Sequence, residues 1–258
     1  MDDRGRFHSA ARFYARYRPR YPQALIERIA GHCGLDGTGR MMDLGCGPGF
    51  LAIAFAPHFE DVVGVDPEPE MLEVAAAEAA AAGVSVTLVP GRSDDLGAHW
   101  GRFRMVAMGR SFHWMDRDAT LRALDAMIEP GGQVVLIDAA NGGTAWEAAW
   151  RKVHDGWAVP AARAPAEQRA APGWERHEVV LARSPFRRVA RARAQYAATA
   201  TIDDLIGRAY SMSATTQAAL GTRREAFEAA LRAQLRAIEP SGVFREAFDV
   251  EAVIAERP

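Results

Sequence analysis

An acid and three glycines lie close together between residues 43 and 49. From Met41 to Phe50 the chain reads Met-Met-Asp-Leu-Gly-Cys-Gly-Pro-Gly-Phe, an apolar strand pattern that ends in Asp43 and then in G-x-G-x-G. Only a residue without a Cβ atom lets the backbone turn this tightly and lie against a ligand. A strand, such a loop and a following helix together build a nucleotide pocket at the carboxyl end of the strand.

A second acid, Asp66, closes the short apolar run Val62–Val65. A carboxylate at the end of a second strand can accept hydrogen bonds from both ribose hydroxyls of a nucleotide. The alternative is an acid that caps the helix which Pro69 opens. The glycine spacing indicates which nucleotide binds, because the dinucleotide fingerprint G-x-G-x-x-G needs a glycine at the position of Phe50.

Three motifs together resemble the class I S-adenosylmethionine-dependent methyltransferases. D-x-G-x-G-x-G over Asp43–Gly49 is similar to the cofactor loop of that family. Gly-Arg-Ser-Phe-His-Trp at 109–114 resembles the A-F-H-W segment of a small-molecule branch that includes trans-aconitate and ubiquinone-type methyltransferases. Tyr14–Pro22 resembles the Y-x-x-x-R-P-x-Y-P segment of the same branch. The resemblance covers about residues 10 to 140.

The resemblance implies where S-adenosylmethionine binds. The methionine moiety would lie over the glycine loop, with Asp43 near its amino group, directly or through water, and with Asp66 at the ribose. Ser93 and Asp94 fall at the adenine contacts of the family, although such a pair is also ordinary turn chemistry. The cofactor residues implied are Asp43, Gly45, Cys46, Gly47, Gly49, Asp66, Pro67, Met71, Ser93, Asp94, Gly109 and Arg110.

The same resemblance implies an acceptor side. His113 and Trp114 would lie beside the transferring methyl group, where a histidine can deprotonate an oxygen or nitrogen nucleophile. His113 could equally anchor its loop through a hydrogen bond. The N-terminal segment would fold over the cofactor, with Tyr14, Arg18 and Tyr21 near the substrate. The Arg18 guanidinium could then pair with a carboxylate of cofactor or substrate.

Four tryptophans follow the predicted sheet core, namely Trp146, Trp150, Trp157 and Trp174. They could form an aromatic lid that excludes water and selects an apolar or aromatic acceptor. They could also pack a helix onto the sheet, which is the more common use of such residues. Both interpretations stay open from the sequence.

Residues 41 to 138 alternate between strand and helix patterns, which predicts a parallel sheet with helices on both faces. After the first strand, we expect strands at Val62–Asp66, Ser85–Val89, Arg104–Met108 and Val134–Asp138. Helices are expected from Phe50, from Pro69 to Gly83 and from Arg117 to Ile128 behind an Asp116 cap.

Later segments complete the prediction of the fold. Strands are expected at Phe186–Ala197 and Phe248–Ala255, and helices at Ile202–Arg208 and Arg223–Ile238. The resemblance implies a seven-stranded, mostly parallel Rossmann-like α/β sheet with an antiparallel end and a helical insertion or lid. We expect one domain over residues 1–258, with a core at about 35–140, an N-terminal cover at 1–34 and a lid with sheet-completing segments at 141–258.

Composition, charge and cysteine count indicate which classes of protein the chain can belong to. The chain has 258 residues, 49% hydrophobic and 25% charged, with a formal net charge of −2. This charge gives no global reason to bind nucleic acid or an anionic membrane. The two cysteines, Cys33 and Cys46, are too few for a disulfide framework or a zinc site. No apolar run reaches membrane-spanning length and no signal peptide is evident, so we expect a cytoplasmic monomer or homodimer without a metal.

The sequence therefore predicts transfer of a methyl group from S-adenosylmethionine to the O, N or C atom of a small molecule. The chain lacks the N/D-P-P-Y/F/W motif that resembled DNA-methylating enzymes use, which argues against a nucleic-acid substrate. One alternative is a protein that binds the cofactor without catalysing a reaction. A less favoured alternative is an NAD(P)-dependent oxidoreductase, because position 50 is Phe.

Overall fold

The computed structural model describes residues 9–141, 144–159 and 173–258. The chain separates into two compact units. The unit that we call the sheet unit comprises Arg20–Ala139, Ala171–Ala194 and Val250–Pro258. The helical unit comprises Met1–Pro19, Ala140–Ala170 and Gln195–Asp249. The expectation of a single domain stays a prediction.

Seven strands form one sheet in the order β3-β2-β1-β4-β5-β7-β6. They are β1 (Arg40–Leu44), β2 (Asp61–Asp66), β3 (Thr87–Pro90), β4 (Phe103–Gly109), β5 (Ile128–Asn141), β6 (Arg188–Thr201) and β7 (Val243–Glu256). Strands β1 to β5 pair in parallel, and the sheet ends in antiparallel strands. The predicted seven-stranded, mostly parallel α/β fold is confirmed.

The central strands are apolar because both faces of the sheet are covered. Met42 of β1 lies between Val63 of β2 and Val106 of β4, and the exposed fraction of each of these side chains is at most 4%. Strands β2 and β3 lie on one side of β1, and β4 lies on the other side. The direction of strand order therefore reverses at β1. In open α/β sheets a ligand binds outside the carboxyl ends of the strands at such a reversal of strand order. This places a candidate ligand site where β1 and β4 end.

The helices of the sheet unit begin and end at residues of the expected types. They are α2 (Gln23–His32), α3 (Phe50–Phe55), α4 (Pro69–Ala82), α5 (Arg117–Met127) and α7 (His177–Ala182). The Asp116 carboxylate accepts the N–H of Ala119 at 2.9 Å and caps α5 as predicted. Gly83 ends α4 in the left-handed conformation with φ of 67°, which glycine adopts without a Cβ penalty.

The helical unit has an apolar core of its own. Its described helices are α1 (Ala11–Tyr17), α6 (Ala145–Trp157), α8 (Ile202–Tyr210), α9 (Gln217–Leu220) and α10 (Arg224–Ile238). Trp146 of α6 packs with Leu205 of α8 and with Phe227 and Leu231 of α10 in this core. The amphipathic stripe that predicted α10 faces this core, which is why the helix is stable there.

Several boundaries differ from the sequence prediction. Strand β7 begins at Val243 and not at Phe248, and inward and outward residues alternate along it. One inward residue is Glu246, only 4% exposed, so a carboxylate interrupts the apolar alternation that marks a strand in the sequence. Strand β3 runs from Thr87 to Pro90, two residues later than expected. No bounds were predicted for the helix α6.

Candidate functional site

The glycine loop is tied to the end of β2. The backbone N–H groups of Gly45 and Cys46 both donate to the carbonyl of Val65, at 2.8 and 3.0 Å. Gly45, Gly47 and Gly49 all have positive φ, at 73°, 52° and 79°. Side chains other than glycine rarely adopt this backbone conformation, so the predicted loop needs glycine at all three positions.

The space available for a Cβ atom differs among the glycines of the loop. A Cβ atom at Gly45 would lie 2.5 Å from the Cβ atom of Ser111, so the loop and the segment after β4 are in direct contact. Among the described residues, a Cβ atom at Gly47 would come within 4 Å only of the Met71 sulfur, at 3.9 Å. The backbone at Gly47 is thus open on one side. This open side fits a ligand that lies against the loop.

Asp66 connects the loop to the start of α4. Its Oδ2 atom accepts the N–H of Gly47 at 2.8 Å, and its Oδ1 atom accepts the N–H of Glu68 at 3.0 Å. Burial raises the pKa of Asp66 to about 6, although the two hydrogen bonds lower it. A carboxylate has about four lone-pair sites, so two remain for hydroxyl donors of a ligand. The geometry suits the expected ribose contact.

Asp43 lies at the other end of the loop and is only 1% exposed. Its Oδ2 atom accepts the N–H of Ala52 at 3.0 Å, which fixes the first turn of α3. Burial raises the pKa of Asp43 to about 7, and the negative charge of Asp66 contributes to the rise. Cys46, between the two acids, is buried, and burial raises the pKa of its thiol well above the usual range. That thiol is therefore not a nucleophile.

The segment after β4 completes the contact with the loop. The Ser111 hydroxyl donates to the carbonyl of Leu44 at 2.7 Å, a bond that no sequence motif predicts. Arg110 adopts φ of 58°, which is uncommon for a residue other than glycine, and its N–H donates to the carbonyl of Ile137 at 3.0 Å. Its guanidinium lies 4.9 Å from the ring centre of Tyr21. The Tyr21 hydroxyl packs on Gly109, where a Cβ atom would be 2.4 Å away.

His113 and Trp114 lie in a short 3-10 turn, Phe112–Trp114, directly after this segment. Both side chains are half-buried, and their ring centres are 5.1 Å apart. Phe112 of the same turn is buried, and its ring centre lies 5.1 Å from that of His177. Sequence position therefore places His113 at the carboxyl end of β4, beside the loop. Its role as a general base stays a prediction.

The adenine contacts expected at Ser93 and Asp94 lie in a turn after β3. The Asp94 side chain is 73% exposed and lies 3.6 Å from the guanidinium of Arg92. Ser93 donates to the same carboxylate at 3.4 Å. These contacts are those of an ordinary polar turn, so the adenine role stays a prediction.

Tyr14 and Arg18 belong to the helical unit. Arg18 Nε donates to the hydroxyl of Ser211 at 2.8 Å, and its guanidinium lies 5.1 Å from the ring centre of Tyr14. Their predicted contact with an acceptor stays a prediction. Ser211 is fully buried, and the sequence carried no signal for it.

The tryptophans make the contacts of packing side chains. Trp146 Nε1 donates to the carbonyl of Arg245 at 3.2 Å, and Trp150 Nε1 donates to that of Leu205 at 3.1 Å. The Trp157 ring lies 6.1 Å from that of Phe227. In the sheet unit, Trp174 stacks under the guanidinium of Arg117, which is 5.0 Å from its ring centre.

A sheet in this strand order, with a glycine loop after the first strand and an acid at the end of the second, defines the class I methyltransferase fold. Residues 41–132 match the family described as Methyltransferase domain. The match extends from β1 to the start of β5 and agrees with the class predicted from the sequence.

Curated relatives cover part of the chain. An uncharacterized methyltransferase of Mycobacterium bovis is 31% identical over 131 residues, which are 51% of this chain and 51% of the relative. A ubiquinone biosynthesis O-methyltransferase of Azorhizobium caulinodans is 36% identical over 103 residues, 40% of each chain. The chain thus spans about half the length of the curated relatives that it matches.

Solved structures agree with the fold over nearly the whole chain. A candidate type II methyltransferase from Anaeromyxobacter dehalogenans has a TM-score of 0.62 at 21% identity, covering 93% of this chain and 98% of its own. A methyltransferase from Thiobacillus denitrificans, in complex with S-adenosylhomocysteine, has a TM-score of 0.51 at 17% identity, covering 93% and 94%. None of the described helices is long and apolar enough to cross a bilayer.

Proposed function

We propose that this protein transfers a methyl group from S-adenosylmethionine to a small organic molecule. The main support is the glycine loop, which hydrogen bonds of Asp43 and Asp66 fix in place and which is open at Gly47. The family match of residues 41–132 and the cofactor product in the related Thiobacillus denitrificans structure support the proposal.

The residues of the loop would bind and orient the cofactor. Asp66 would accept hydrogen bonds from the ribose hydroxyls, and Asp43 would interact with the amino group of the methionine moiety. Ser93 and Asp94 would contact the adenine, and the backbone of Gly109 and Arg110 would contact the methionine end. S-adenosylmethionine, when bound, supplies an electrophilic methyl group on a sulfonium sulfur. Positioning of the acceptor against that group can lower a barrier by roughly 7–11 kcal/mol.

The acceptor would lie at the end of β4. His113 there accepts a proton from an oxygen or nitrogen nucleophile, and Trp114 and Tyr21 contact the acceptor. A small-molecule acceptor is supported by the ubiquinone O-methyltransferase among the relatives.

The second candidate function is cofactor binding without catalysis. It is compatible with the sequence, because methyl transfer can proceed without a signature catalytic residue whose presence would mark an active enzyme. An NAD(P)-dependent oxidoreductase is disfavoured, since Phe50 occupies the third glycine position of the dinucleotide fingerprint and begins α3 as a buried side chain.

Thermal unfolding with S-adenosylhomocysteine, and separately with NADH, tests the cofactor. A ligand at 100 times its dissociation constant adds about 2.7 kcal/mol of stability. For a chain of this size the expected rise in the unfolding temperature is roughly 5–10 °C. A rise with S-adenosylhomocysteine alone supports the proposal, and a rise with NADH alone overturns it.

A second measurement separates an enzyme from a silent binding protein. A panel of phenols, carboxylic acids and amines is incubated with S-adenosylmethionine, and release of S-adenosylhomocysteine is recorded. Acceptor-dependent release supports methyl transfer. A protein that binds the cofactor and releases nothing across the panel supports the silent alternative.

A further inference from the structure

Arg117, the first residue of α5, binds a segment that lies 58 to 60 residues later in the chain. Its Nη1 atom donates to the carbonyl of Glu175 at 2.5 Å and lies 3.3 Å from Nδ1 of His177. Its guanidinium also lies 5.0 Å from the ring centre of Trp174. All of these residues belong to the sheet unit. Arg117 therefore holds residues 174–177, which we call the clamp segment, against the start of α5.

A second arginine joins the same two parts of the sheet unit from the opposite direction. Arg183, directly after α7, pairs with both carboxylate oxygens of Asp118, at 2.9 and 2.8 Å, and contacts the Glu175 carboxylate at 2.6 Å. Such a bidentate pair fixes orientation as well as adding free energy. These side chains are partly exposed, so solvent screens their attraction. The two arginines together fix the position of the clamp segment on α5.

The contact with Arg117 determines which nitrogen of the His177 ring carries the proton. A guanidinium has only donors, so Nδ1 of His177 accepts, and the neutral imidazole carries its proton on Nε2. A protonated imidazole at this distance would be repelled by the guanidinium, which favours the neutral ring. The His177 ring is thereby held in one tautomer and one orientation.

The His177 ring packs on the turn that contains His113. Its centre lies 5.1 Å from that of Phe112, which is 2% exposed and shares a core with Val180 and Leu181 of α7. His113 follows Phe112 directly in a 3-10 turn of three residues. A displacement of Phe112 therefore displaces the backbone of His113 as well.

Residues on either side of this turn contact the glycine loop. Ser111 donates to the carbonyl of Leu44, and a Cβ atom at Gly45 would lie 3.5 Å from Cε of Met115. The turn thus has contacts with the loop through its flanking residues and with the clamp segment through Phe112. The first set fixes the turn relative to the expected cofactor, and the second set fixes it relative to the core.

We propose that Arg117 and His177 are positioning residues for methyl transfer, which act through Phe112 to hold His113 at the acceptor side. The role in catalysis rests on the proposed function, whereas the contact between the clamp segment and the turn does not. Misplacement of a reacting group by about 1 Å can cost about 10²-fold in rate. Loss of the clamp should therefore lower kcat more than it lowers cofactor affinity.

Imidazole NMR of the full chain tests the clamp without an acceptor. The signals that are missing from His113→Gln and from His177→Phe identify the two rings. In the wild type we expect the His177 ring to be protonated at Nε2 and not at Nδ1. Arg117→Met should shift the His113 signals, and Arg117→Lys, which keeps the charge and a donor, should shift them less. Arg122→Met is the matched control, since it removes an exposed charge from the same helix and should leave them unchanged.

A double-mutant cycle tests whether Arg117 acts through His113, with an acceptor found in the panel. Arg117→Met should lower kcat roughly 10- to 100-fold, with partial recovery in Arg117→Lys. In the His113→Gln background the same substitution should lower kcat less than about threefold, because the group that the clamp positions is already absent. The affinity for S-adenosylhomocysteine should stay within about threefold of the wild type throughout, and Arg122→Met should keep full activity.

Three results would overturn the clamp, namely unmoved His113 signals in Arg117→Met, a His177 ring protonated at Nδ1, or equal effects of Arg117→Met and Arg122→Met. Equal losses of kcat in the wild-type and His113→Gln backgrounds would overturn its action through His113. Lower stability of Arg117→Met in urea with unchanged kcat would show that Arg117 serves packing alone. The NMR comparison and the binding of S-adenosylhomocysteine need no acceptor, so failure of the clamp is distinguishable from failure of the proposed function.

Discussion

The carboxylate of Asp66 accepts the backbone N–H of Gly47 at 2.8 Å, so the acid that ends β2 holds the middle of the glycine loop. The same carboxylate accepts the N–H of Glu68 just before α4. The group expected to bind the ribose is therefore also the group that shapes the loop. Cofactor affinity and loop geometry depend on one side chain.

Replacement of Asp66 should weaken cofactor binding. Asp66→Ala removes the acceptor for Gly47 and for the ribose hydroxyls, and hydrogen bonds to a charged group contribute about 1.5–3 kcal/mol each. We expect a loss of at least 10-fold in S-adenosylhomocysteine affinity by calorimetry. Asp61→Ala, at the opposite end of the same strand, is the matched control and should bind normally. Equal affinity in Asp66→Ala and the wild type would show that the ribose assignment is wrong.

Cofactor binding should also depend on pH. The pKa of Asp66 is raised to about 6 by burial, so below that pH its carboxyl is largely protonated in the free protein. A protonated carboxyl accepts fewer hydrogen bonds, and binding must first remove its proton. Affinity for S-adenosylhomocysteine should fall by up to about tenfold per pH unit below 6. Asp43, whose pKa burial raises to about 7, should add a second, separate dependence near neutral pH. In Asp66→Asn the dependence below pH 6 should be much weaker, while that of Asp43 should remain. An affinity that rises on acidification would contradict the assignment.

Gly45→Ala should destabilise the protein and abolish cofactor binding. The new methyl group would lie 2.5 Å from the Ser111 Cβ atom, at a φ of 73°. Backbone strain and overpacking together should cost roughly 2–5 kcal/mol in urea unfolding. Gly83→Ala is the control, because Gly83 has a similar φ of 67° but open space around it, and it should cost about 1–2 kcal/mol.

The double variant Gly45→Ala, Ser111→Gly separates the two causes. It removes the clash and leaves the backbone strain, and Ser111→Gly alone gives the cost of losing the hydrogen bond to Leu44. Gly45→Ala should therefore cost less stability in the Ser111→Gly background than in the wild type. An equal cost in the two backgrounds would show that steric contact with Ser111 is not the reason that position 45 requires glycine.

The sheet core was predictable because its signals are local. The apolar run that ends in Asp66, the proline that opens α4 and the acid that caps α5 each act within a few residues. The sequence analysis gave no bounds for helix α6, although Trp146, Trp150 and Trp157 recur at helical spacing and packing of a helix was one interpretation of them. The true start of β7 was hidden by Glu246, whose burial depends on Arg208, 38 residues away.

The candidate site also has features that local sequence signals predict and features that depend on distant contacts. The spacing of the glycines and the positions of the two acids predicted the loop. A positive φ requires glycine at a single position, and a carboxylate at a strand end is likewise visible in the sequence. The bond from Ser111 to Leu44 and the bond from Arg18 to Ser211 form only when distant segments meet. Neither hydrophobic periodicity nor a sequence motif predicts such contacts.

The ion pair between Arg208 and Glu246 should be important for the stability of the helical unit. Two hydrogen bonds join the groups, at 2.5 and 2.9 Å, and the side chains are 12% and 2% exposed. Glu246→Gln leaves a buried guanidinium without its counter-ion, which should cost about 3–5 kcal/mol in urea unfolding. Glu251→Gln is the control, since Glu251 pairs with the more exposed Arg191 and Arg193 and should cost less than about 1 kcal/mol. Equal costs would mean that burial of the pair does not matter.

His113→Gln should slow methyl transfer without weakening cofactor binding. Glutamine retains a polar side chain of similar reach but cannot accept a proton, and general base catalysis contributes about 10²–10⁴-fold. With an acceptor found in the panel, we expect kcat to fall by that factor while the affinity for S-adenosylhomocysteine stays the same. His99→Gln, an exposed histidine in the loop after β3, is the control and should keep full activity. If His113 only anchors its loop, His113→Gln should instead lower the unfolding temperature and leave kcat within threefold of the wild type. The comparison of kcat with stability in the same two variants therefore distinguishes a base from an anchor.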